Sequence, residues 1–464
     1  MEDSQNLNNR PVNPRRRKRS KIQVFKEVYL PAIVAGLSII LIIIFIIGSV
    51  TRSIQRNNKE KQAQYEAFIA ASIAKQESDN EAAMLSKEAS RLAASFDYEG
   101  AISALDSFSG NITDYPKLTD QKKQYLAAQS ELVLWDDPSN VLNLSFQLLI
   151  ADPSRAFKDA KYGTSYNKNF ITTEEFTNIL QQLYQNNYIL VRLSDMHSQL
   201  QLPKDKKPLI LTQTQVNYYT YMTDSNGDKL PDAGGAGFAS KLMLDDNGIY
   251  ICEMVDVNGQ TVTGAYDLVP ILEAFITDHP DFSFKGARAV LAVTGYDGLF
   301  GYRTNSAAKN FFGEDYYQAE ISQATKIVQA LRNTGYEIAC YTYENVAYGS
   351  YNVSQITSDL DKWRAEVSPI LGVVNTLVYA RNSDIAGRNT AYSGEKFTVL
   401  SEFGFTNYLG FCSNGTPWFT KGENHLRQGR LLVSGSNLAH HADWFVGILD
   451  SQTILDPARG TIPS

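Results

Sequence analysis

A stretch of 23 consecutive residues without a charged side chain, VYLPAIVAGLSIILIIIFIIGSV at positions 28–50, constrains this chain more than any other feature of its sequence. A helix rises about 1.5 Å per residue, so roughly 20 apolar residues cross a hydrocarbon core of about 30 Å. A cleaved signal peptide has a shorter apolar region, roughly 7–15 residues, followed by small residues at the cleavage site. The stretch therefore predicts a transmembrane helix over residues 28–50, and cleavage is the less favoured alternative.

Charge on the two sides of this stretch predicts its orientation. Residues 14–21 read PRRRKRSK, whereas only four basic residues fall between positions 51 and 61. The positive-inside rule then leaves the N-terminus in the cytoplasm and residues 51–464 outside a single-pass cell-membrane protein. Eight Lys/Arg and three Asp/Glu precede position 28, so residues 28–464 carry a net charge of −12 although the whole chain carries −7. This acidity argues against a nucleic-acid partner, because phosphate binding needs basic groups.

Composition divides the chain into four predicted regions. They are a basic cytoplasmic tail at 1–27, the transmembrane helix at 28–50, a helical stalk and hairpin at 51–137, and a large domain at 138–464. Residues 57–96 are rich in Ala, Glu, Lys and Gln and lack Pro and Gly, which is typical of a helix. The segment ASRLAASFDYEGAISALDSF at 89–108 resembles one tetratricopeptide-type unit. A single unit cannot bury its own face, so we expect a spacer and not a peptide-binding array.

The large domain alternates short apolar runs with helical patterns. Strands separated by helices tend to pair in parallel, which predicts an α/β fold, either a barrel or a doubly wound sheet. The predicted strands cover residues 142–150, 188–193, 209–212, 289–294, 337–341 and 372–379. The predicted helices cover residues 173–184, 268–277, 315–333 and 353–368.

Several segments of this domain resemble a known family. FITTEEFTNILQQLYQNNYILVRLSDM from Phe170, KPLILTQTQVNYY from Lys207 and NTGYEIACYTYEN from Asn333 follow the order of segments in NodB-like polysaccharide deacetylases. DLVPILEAFITDHPDFSF from Asp267 and VTGYDGLFGYRTN from Val293 are similar to a membrane-anchored subgroup in Gram-positive bacteria. The resemblance covers about residues 138–464. It implies a distorted (β/α) barrel that removes acetyl groups from amino sugars with a bound divalent metal.

The chain departs from the motifs that carry the family's chemistry. Where the family has two aspartates, a general base and a metal ligand, this chain has Thr214 and Gln215. Where the family has two metal-binding histidines four residues apart, it has Tyr341 and Asn345. The third motif matches weakly near residues 379–381, and the family's last histidine has no certain counterpart, since the local pattern does not establish His440 or His441 in that role.

These replacements remove the donors that a divalent metal needs. Amide oxygens and a phenol that stays protonated at neutral pH replace carboxylate and imidazole. Without a base, hydrolysis loses a factor of about 10² to 10⁴, and without a metal nothing lowers the pKa of the attacking water. The resemblance therefore implies a pseudoenzyme with no catalytic residue, no metal ligand and no cofactor.

Our leading hypothesis is an inactive barrel that binds a cell-wall glycan such as peptidoglycan or another amino-sugar polymer. Barrels open their sites at the carboxyl ends of their strands, and tyrosine rings pack on sugar faces. The alternative interpretation of each candidate is that its side chain packs in the core or hydrogen-bonds to the backbone of a loop. The candidate ligand-binding residues are Thr214, Gln215, Asn217, Tyr302, Arg303, Tyr341, Tyr343 and Asn345.

Two other functions stay open. One is an active amino-sugar N-deacetylase with substituted ligands, for which Asp267, Asp297 and Glu344 are candidates for a relocated carboxylate site. The other is a scaffold that engages envelope-synthesis proteins. The cysteines at 252, 340 and 412 lack C-x-x-C spacing, so neither a disulfide framework nor a cysteine zinc site is expected. Cys340 fits a buried position at the end of a strand better than a nucleophile.

Overall fold

The computed structural model describes residues 20–463 in two units, 1–81 and 82–464. The predicted cytoplasmic tail lies outside the described residues up to position 19, and most of its basic cluster with it. The described part of the first unit is helical, with an α-helix at Lys21–Val24, a π-helical turn at Phe25–Tyr29 and then helix α1, Leu30–Ala94. Its apolar side chains are exposed, Phe45 by 75%. By length and composition this helix can span a membrane.

The second unit begins with a helical hairpin formed by the end of α1, α2 (Tyr98–Asp106) and α3 (Pro116–Ser130). Asp97 caps α2 by accepting a hydrogen bond of 3.0 Å from the backbone N–H of Gly100. A Cβ at position 100 would lie 2.4 Å from that carboxylate, so a larger residue there would make the Asp97 side chain shift. The hairpin buries its own small cluster of Ala82, Ala89, Ala101, Leu105, Phe108, Leu118 and Tyr125. The boundary predicted at residue 138 stays a prediction.

Seven parallel strands of the second unit form a closed barrel. The strands are β1 (Leu142–Phe146), β2 (Lys207–Thr214), β3 (Val290–Val293), β4 (Glu337–Cys340), β5 (Thr376–Val378), β6 (Asn407–Phe411) and β7 (Leu426–Leu432). Each pairs with the next in chain order, from β1 with β2 to β6 with β7. Strand β7 also pairs with β1, where Leu432 lies opposite Ser145, and this pairing closes the ring. The predicted α/β barrel is confirmed.

Further strands lie outside the ring. Tyr188–Leu190 runs parallel to the start of β2, and Phe419–Lys421 pairs antiparallel with β7. Val133–Leu134 pairs antiparallel with Gln201–Leu202. A three-stranded antiparallel sheet is inserted between β2 and β3 and consists of Lys241–Leu244, Tyr250–Val255 and Thr261–Gly264.

Helices cover the outside of the ring and pack on the outward side chains of the strands in the larger apolar core. The longer ones are α4 (Thr173–Gln185), α5 (Leu268–Asp278), α6 (Glu314–Thr334), α7 (Val353–Glu366) and α8 (Gly394–Phe403). Short helices lie at Pro153–Ala156, Gly163–Asn169, Thr220–Thr223, Ser306–Phe312, Ser368–Leu371, Gly435–His440 and Ser451–Ile454. Helix α4 begins in a capping box between Thr172 and Glu175, each side chain accepting from the other's backbone N–H.

The barrel interior mixes an apolar cluster with a polar network. The apolar members include Ile210, Val290, Ala292, Ala339, Val378, Leu409 and Leu426. Among the polar members, Thr212 donates to Asn143 at 2.9 Å and Asn143 donates to Gln428 at 3.0 Å. Gln428 in turn donates to the carbonyl of Val141 at 2.9 Å. These bonds satisfy polar groups that would be costly to bury alone.

Candidate binding site at the barrel mouth

The carboxyl ends of the strands bring polar side chains together at one end of the barrel, which we call the mouth. The mouth consists of the side chains of Ser145, Gln147, Thr214, Gln215, Tyr341, Asn345, Arg381 and Arg430, together with the backbone carbonyl of Tyr379. Gln215 and Asn345 follow β2 and β4 with φ angles of 61° and 53°. Such left-handed backbone is uncommon outside glycine and turns the chain sharply where each strand ends.

Three amides meet across the mouth. Asn345 donates to the side-chain oxygen of Gln215 at 3.3 Å, and Gln215 donates to that of Gln147 at 3.4 Å. Asn345 Oδ1 is buried and accepts no hydrogen bond. The structure therefore brings together two of the residues predicted for the site, Gln215 and Asn345, and adds Gln147, which follows β1.

Thr214 and Tyr341, also predicted for the site, line the wall of the mouth. Thr214 is buried and donates to the carbonyl of Phe146 at 3.1 Å. Tyr341 belongs to the interior cluster and is only 7% exposed. Burial raises the pKa of the Tyr341 phenol, although Arg430, a backbone hydrogen bond from Arg381 and the charge of Arg381 oppose this rise. The phenol is therefore neutral near pH 7 and can donate a hydrogen bond.

Arg430 of β7 lies inside the mouth. Its side chain donates to Ser145 Oγ at 2.8 Å and to the carbonyl of Tyr379 at 3.3 Å. Its Nε is buried and has no hydrogen-bond partner. Burial lowers the pKa of the Arg430 guanidinium, whereas Tyr341 and Cys412 raise it. The reference pKa of arginine is so high that the group stays charged.

The donors at the mouth do not fit a divalent metal. The positions that the sequence resemblance assigns to the family's metal ligands hold the amides of Gln215 and Asn345 and the phenol of Tyr341, and the Arg430 guanidinium lies near Tyr341. A fixed cation repels a second one, and neutral amides are weak ligands for zinc-type ions. Across residues 20–463, no three side chains of His, Cys, Asp or Glu are grouped so that they could hold a metal.

The other four predicted residues are engaged elsewhere. Asn217 is fully buried, donates to the carbonyls of Thr294 (2.7 Å) and Gly298, and accepts from the N–H of Thr294 at 2.9 Å. These bonds join the loop after β2 to the loop after β3. Arg303 donates to the carbonyls of Asp297 and Tyr218 at 2.8 and 2.9 Å. Asn217 and Arg303 therefore stabilise loops, which agrees with the alternative interpretation that these side chains hydrogen-bond to loop backbone.

Tyr302 and Tyr343 are also bound away from the mouth. Tyr302 is 5% exposed, and the Lys241 ammonium lies 4.7 Å from its ring centre. Tyr343 donates to the Glu366 carboxylate at the end of α7. The structure brings neither ring into contact with the amides of the mouth.

The candidate carboxylates do not converge either. Asp267 accepts from Gln213 at 2.7 Å, and Asp297 accepts from the Thr220 hydroxyl at 2.8 Å. Glu344 pairs with Lys362. Burial raises the pKa of the Cys340 thiol well above its ordinary value, so this cysteine is not a nucleophile at neutral pH.

Tyrosines beside the mouth form a partly exposed surface, which we call the tyrosine platform: Tyr162, Tyr219, Tyr221 and Tyr296. Tyr219 is buried and stacks on Tyr221, with ring centres 5.7 Å apart, and the tilted ring of Tyr296 has its centre 6.0 Å from that of Tyr219. Tyr221 and Tyr296 are 46% and 55% exposed. Burial raises the pKa of Tyr221 to about 12, so its hydroxyl stays protonated. The Tyr219 hydroxyl lies 3.1 Å from Thr294 Oγ1, directly after β3, which places this ring at the carboxyl end of the barrel.

Sequence reasoning missed five of these residues, Ser145 among them. Arg430 and Gln147 follow no motif of the family, and the platform's Tyr162 and Tyr296 lie on loops of different strands. The signals for Tyr296 are its place just after the predicted strand at 289–294 and within the segment VTGYDGLFGYRTN. Nothing in the sequence distinguishes Arg430 from a surface arginine.

Comparisons with known proteins add little information about this site. No protein-family model matches the chain, and no curated protein matches it. Among solved structures, the Streptococcus pyogenes deacetylase PplD in complex with acetate is similar over 66% of this chain and 97% of its own, with 12% identity and a TM-score of 0.35. A similarity this weak carries no conclusion about activity.

Proposed function

We propose that this chain is a membrane-tethered, catalytically inactive barrel that binds a cell-wall glycan, such as peptidoglycan or another amino-sugar polymer. The observation that carries the proposal is the tyrosine platform. Tyr221 and Tyr296 are 46% and 55% exposed beside a mouth of amides and hydroxyls, and the Tyr221 hydroxyl stays protonated. Aromatic faces pack on the C–H faces of sugars, while hydroxyls and amides bond to sugar hydroxyl groups.

Inactivity is the second part of the proposal. The mouth holds no carboxylate or imidazole within its defined set, so no side chain there has a pKa suited to a general base. Membrane attachment through residues 28–50, with the N-terminus in the cytoplasm, is the third part. It would place the barrel where wall glycans are found.

Binding is tested with the full-length chain in detergent, by co-sedimentation with purified peptidoglycan and by titration with amino-sugar oligomers. We expect the double variant Tyr221→Ala/Tyr296→Ala to bind about ten-fold more weakly, because aromatic contacts contribute about 0.5–1.5 kcal/mol each. Phe311→Ala is the matched control, since Phe311 is 52% exposed and outside the platform. Equal affinity of the double variant and the wild type contradicts the platform as the binding surface.

Inactivity is tested on the same preparation by measuring acetate release from N-acetylated oligomers with and without added divalent metal. We expect no release above background. Metal-dependent release that stops on chelation would instead establish the alternative, an active N-deacetylase. Co-purification of an envelope protein with the double variant, in the absence of glycan binding by the wild type, would favour the scaffold.

A further inference from the structure

Arg430 differs from the other buried arginines in having no acidic partner. Four arginines are at most 5% exposed: Arg303, Arg427, Arg430 and Arg459. Arg303 lies 3.4 Å from Asp297, Arg427 lies 3.0 Å from Asp384, and Arg459 pairs with Glu175. Within the described range, no Asp or Glu is within ion-pair distance of Arg430 or contributes to its electrostatic surroundings.

Arg430 has unused hydrogen-bonding capacity at the mouth; its lack of an acidic partner sets it apart, since Arg427 Nε is also buried without a hydrogen-bond partner. Arg430 donates to one hydroxyl and one carbonyl, both neutral, and its buried Nε has no partner. An unpaired buried charge costs several kcal/mol in folding, so such a group persists where something compensates it. An oxyanion against the Nε edge would supply both the charge and the missing acceptor.

The mouth also contains a buried atom that lacks a hydrogen-bond donor. Asn345 Oδ1 is a buried acceptor without a donor. The exposed Arg381 donates to the backbone carbonyl of Asn345 at 2.8 Å and adds positive charge at the rim. A ligand that satisfies both orphaned atoms carries an oxyanion and a hydroxyl donor, and an acidic sugar has both groups.

We propose that the mouth recognises an acidic glycan, with a carboxylate or phosphate of the sugar bound by Arg430 and a sugar hydroxyl donating to Asn345. The inference rests on the proposed glycan binding and specifies its substrate class. A fixed cation at the mouth also differs from the metal site that the sequence resemblance implies. A neutral amino-sugar oligomer leaves the Arg430 charge uncompensated and binds more weakly.

The experiment compares three probes on the full-length chain in detergent: a glucuronate oligomer, a phosphorylated sugar and a neutral N-acetylglucosamine oligomer. We expect at least one acidic probe to bind about ten-fold or more tightly than the neutral one, with the difference shrinking as salt is raised. The tighter of the two acidic probes identifies the oxyanion as carboxylate or phosphate.

Variants assign the effect to the mouth. Arg430→Met abolishes the preference for the acidic probe, and Arg381→Gln reduces it. Arg364→Gln, on the exposed face of α7, is the matched control and keeps the preference. Because Arg430→Met removes a buried group, its folding is checked by tryptophan fluorescence. All four tryptophans lie between residues 135 and 444. As a second readout, the ¹⁵Nε resonance of Arg430 in the wild type shifts when the acidic probe is added.

The outcomes separate this inference from the proposed function. Equal affinity for acidic and neutral oligomers, both lost in the platform variant, overturns the acidic preference and leaves glycan binding intact. Binding of free glucuronate or phosphate that requires Arg430, without binding of any polymer, supports the oxyanion site and overturns the glycan function. An Arg430 resonance unmoved by either acidic probe overturns the inference.

Discussion

Two buried arginines of the barrel unit show how differently the same side chain is used. Arg459 donates to Glu175 at 2.5 Å, to Asn167 Oδ1 at 3.0 Å and to the carbonyls of Asn167 and Phe170, both at 2.8 Å. Arg430 meets two neutral acceptors and leaves Nε unpaired. Arg459 is saturated and neutralised by its own chain. Arg430, which has no acidic partner, lies at the mouth, where a ligand would complete it.

Glu175→Gln removes the charge that neutralises Arg459, and it has the largest expected effect on stability. Each carboxylate oxygen accepts from a backbone N–H, that of Asp456 or Thr172, and also from Arg459. In the variant, an NH₂ group replaces one of these two oxygens. It would face N–H donors and could not accept hydrogen bonds from them. We expect the free energy of unfolding to fall by about 3–5 kcal/mol, because a buried charge loses its partner.

Urea unfolding of the full-length chain in detergent, followed by tryptophan fluorescence, measures this loss. The control is Glu174→Gln at the exposed neighbouring position, which we expect to change stability by less than about 0.5 kcal/mol. Losses of similar size in the two variants would remove the contrast on which the comparison depends.

Asp384→Asn probes an intermediate case. Arg427 has one carboxylate partner at 3.0 Å and also donates to the carbonyls of Thr390 and Gly387, at 2.6 and 3.1 Å. These carbonyls still accept hydrogen bonds from the Arg427 guanidinium after the Asp384 charge is removed, so the arginine keeps part of its stabilisation. We expect a loss of about 1–3 kcal/mol in the same unfolding measurement. Asp361→Asn, which breaks the exposed pair with Arg364, should cost at most about 1 kcal/mol. A larger loss from the exposed pair would contradict the ranking.

Asp267 is the acidic counterpart of Arg430, a buried charge without an ionic partner. It differs because neutral donors saturate it: Leu149 N–H at 2.9 Å, Gln213 at 2.7 Å and the Tyr218 hydroxyl at 2.6 Å. Burial raises the pKa of the Asp267 carboxyl, and these hydrogen bonds only partly oppose the rise. Because the folded-state pKa is raised, its stabilising contribution is present below the ordinary pKa of aspartate and is lost as pH rises through the folded value.

Asp267→Asn imitates the protonated carboxyl, since its oxygen can accept from Leu149 and Gln213 while its amide donates to Tyr218. We expect equal stability of variant and wild type near pH 4. Towards neutral pH the variant gains by at most about 1.4 kcal/mol per pH unit within the window of the shift. Unfolding measured across pH checks this, with the exposed Asp246→Asn as control. A difference independent of pH would show that Asp267 ionises normally.

The sequence predicts much of this architecture but not the position of Arg430, which is the residue compared with Arg459. The runs that become β1 to β5 are apolar, β-branched or aromatic, and periodicity identifies them. Strand β7 reads LRQGRLL, and its polar residues look like a solvated face because binary patterning assumes an apolar interior. Gln215 and Asn345 were found through the family's motifs. Asn217 and Arg303 have suitable chemistry at suitable positions, but their bonds to loop carbonyls are tertiary and cannot be read from spacing.

Arg430→Met should have the smallest effect on stability, and this sets Arg430 apart from Arg459 most clearly. The substitution removes a buried charge of high desolvation cost and fills a similar volume, while the acceptors of Ser145 and Tyr379 each lose a donor. These contributions oppose one another, so we expect the free energy of unfolding to stay within about 1 kcal/mol of the wild type. A loss above about 3 kcal/mol would make Arg430 a structural arginine like Arg459. Unchanged stability together with a lost preference for acidic sugars would mean that the fold carries this charge for its ligand.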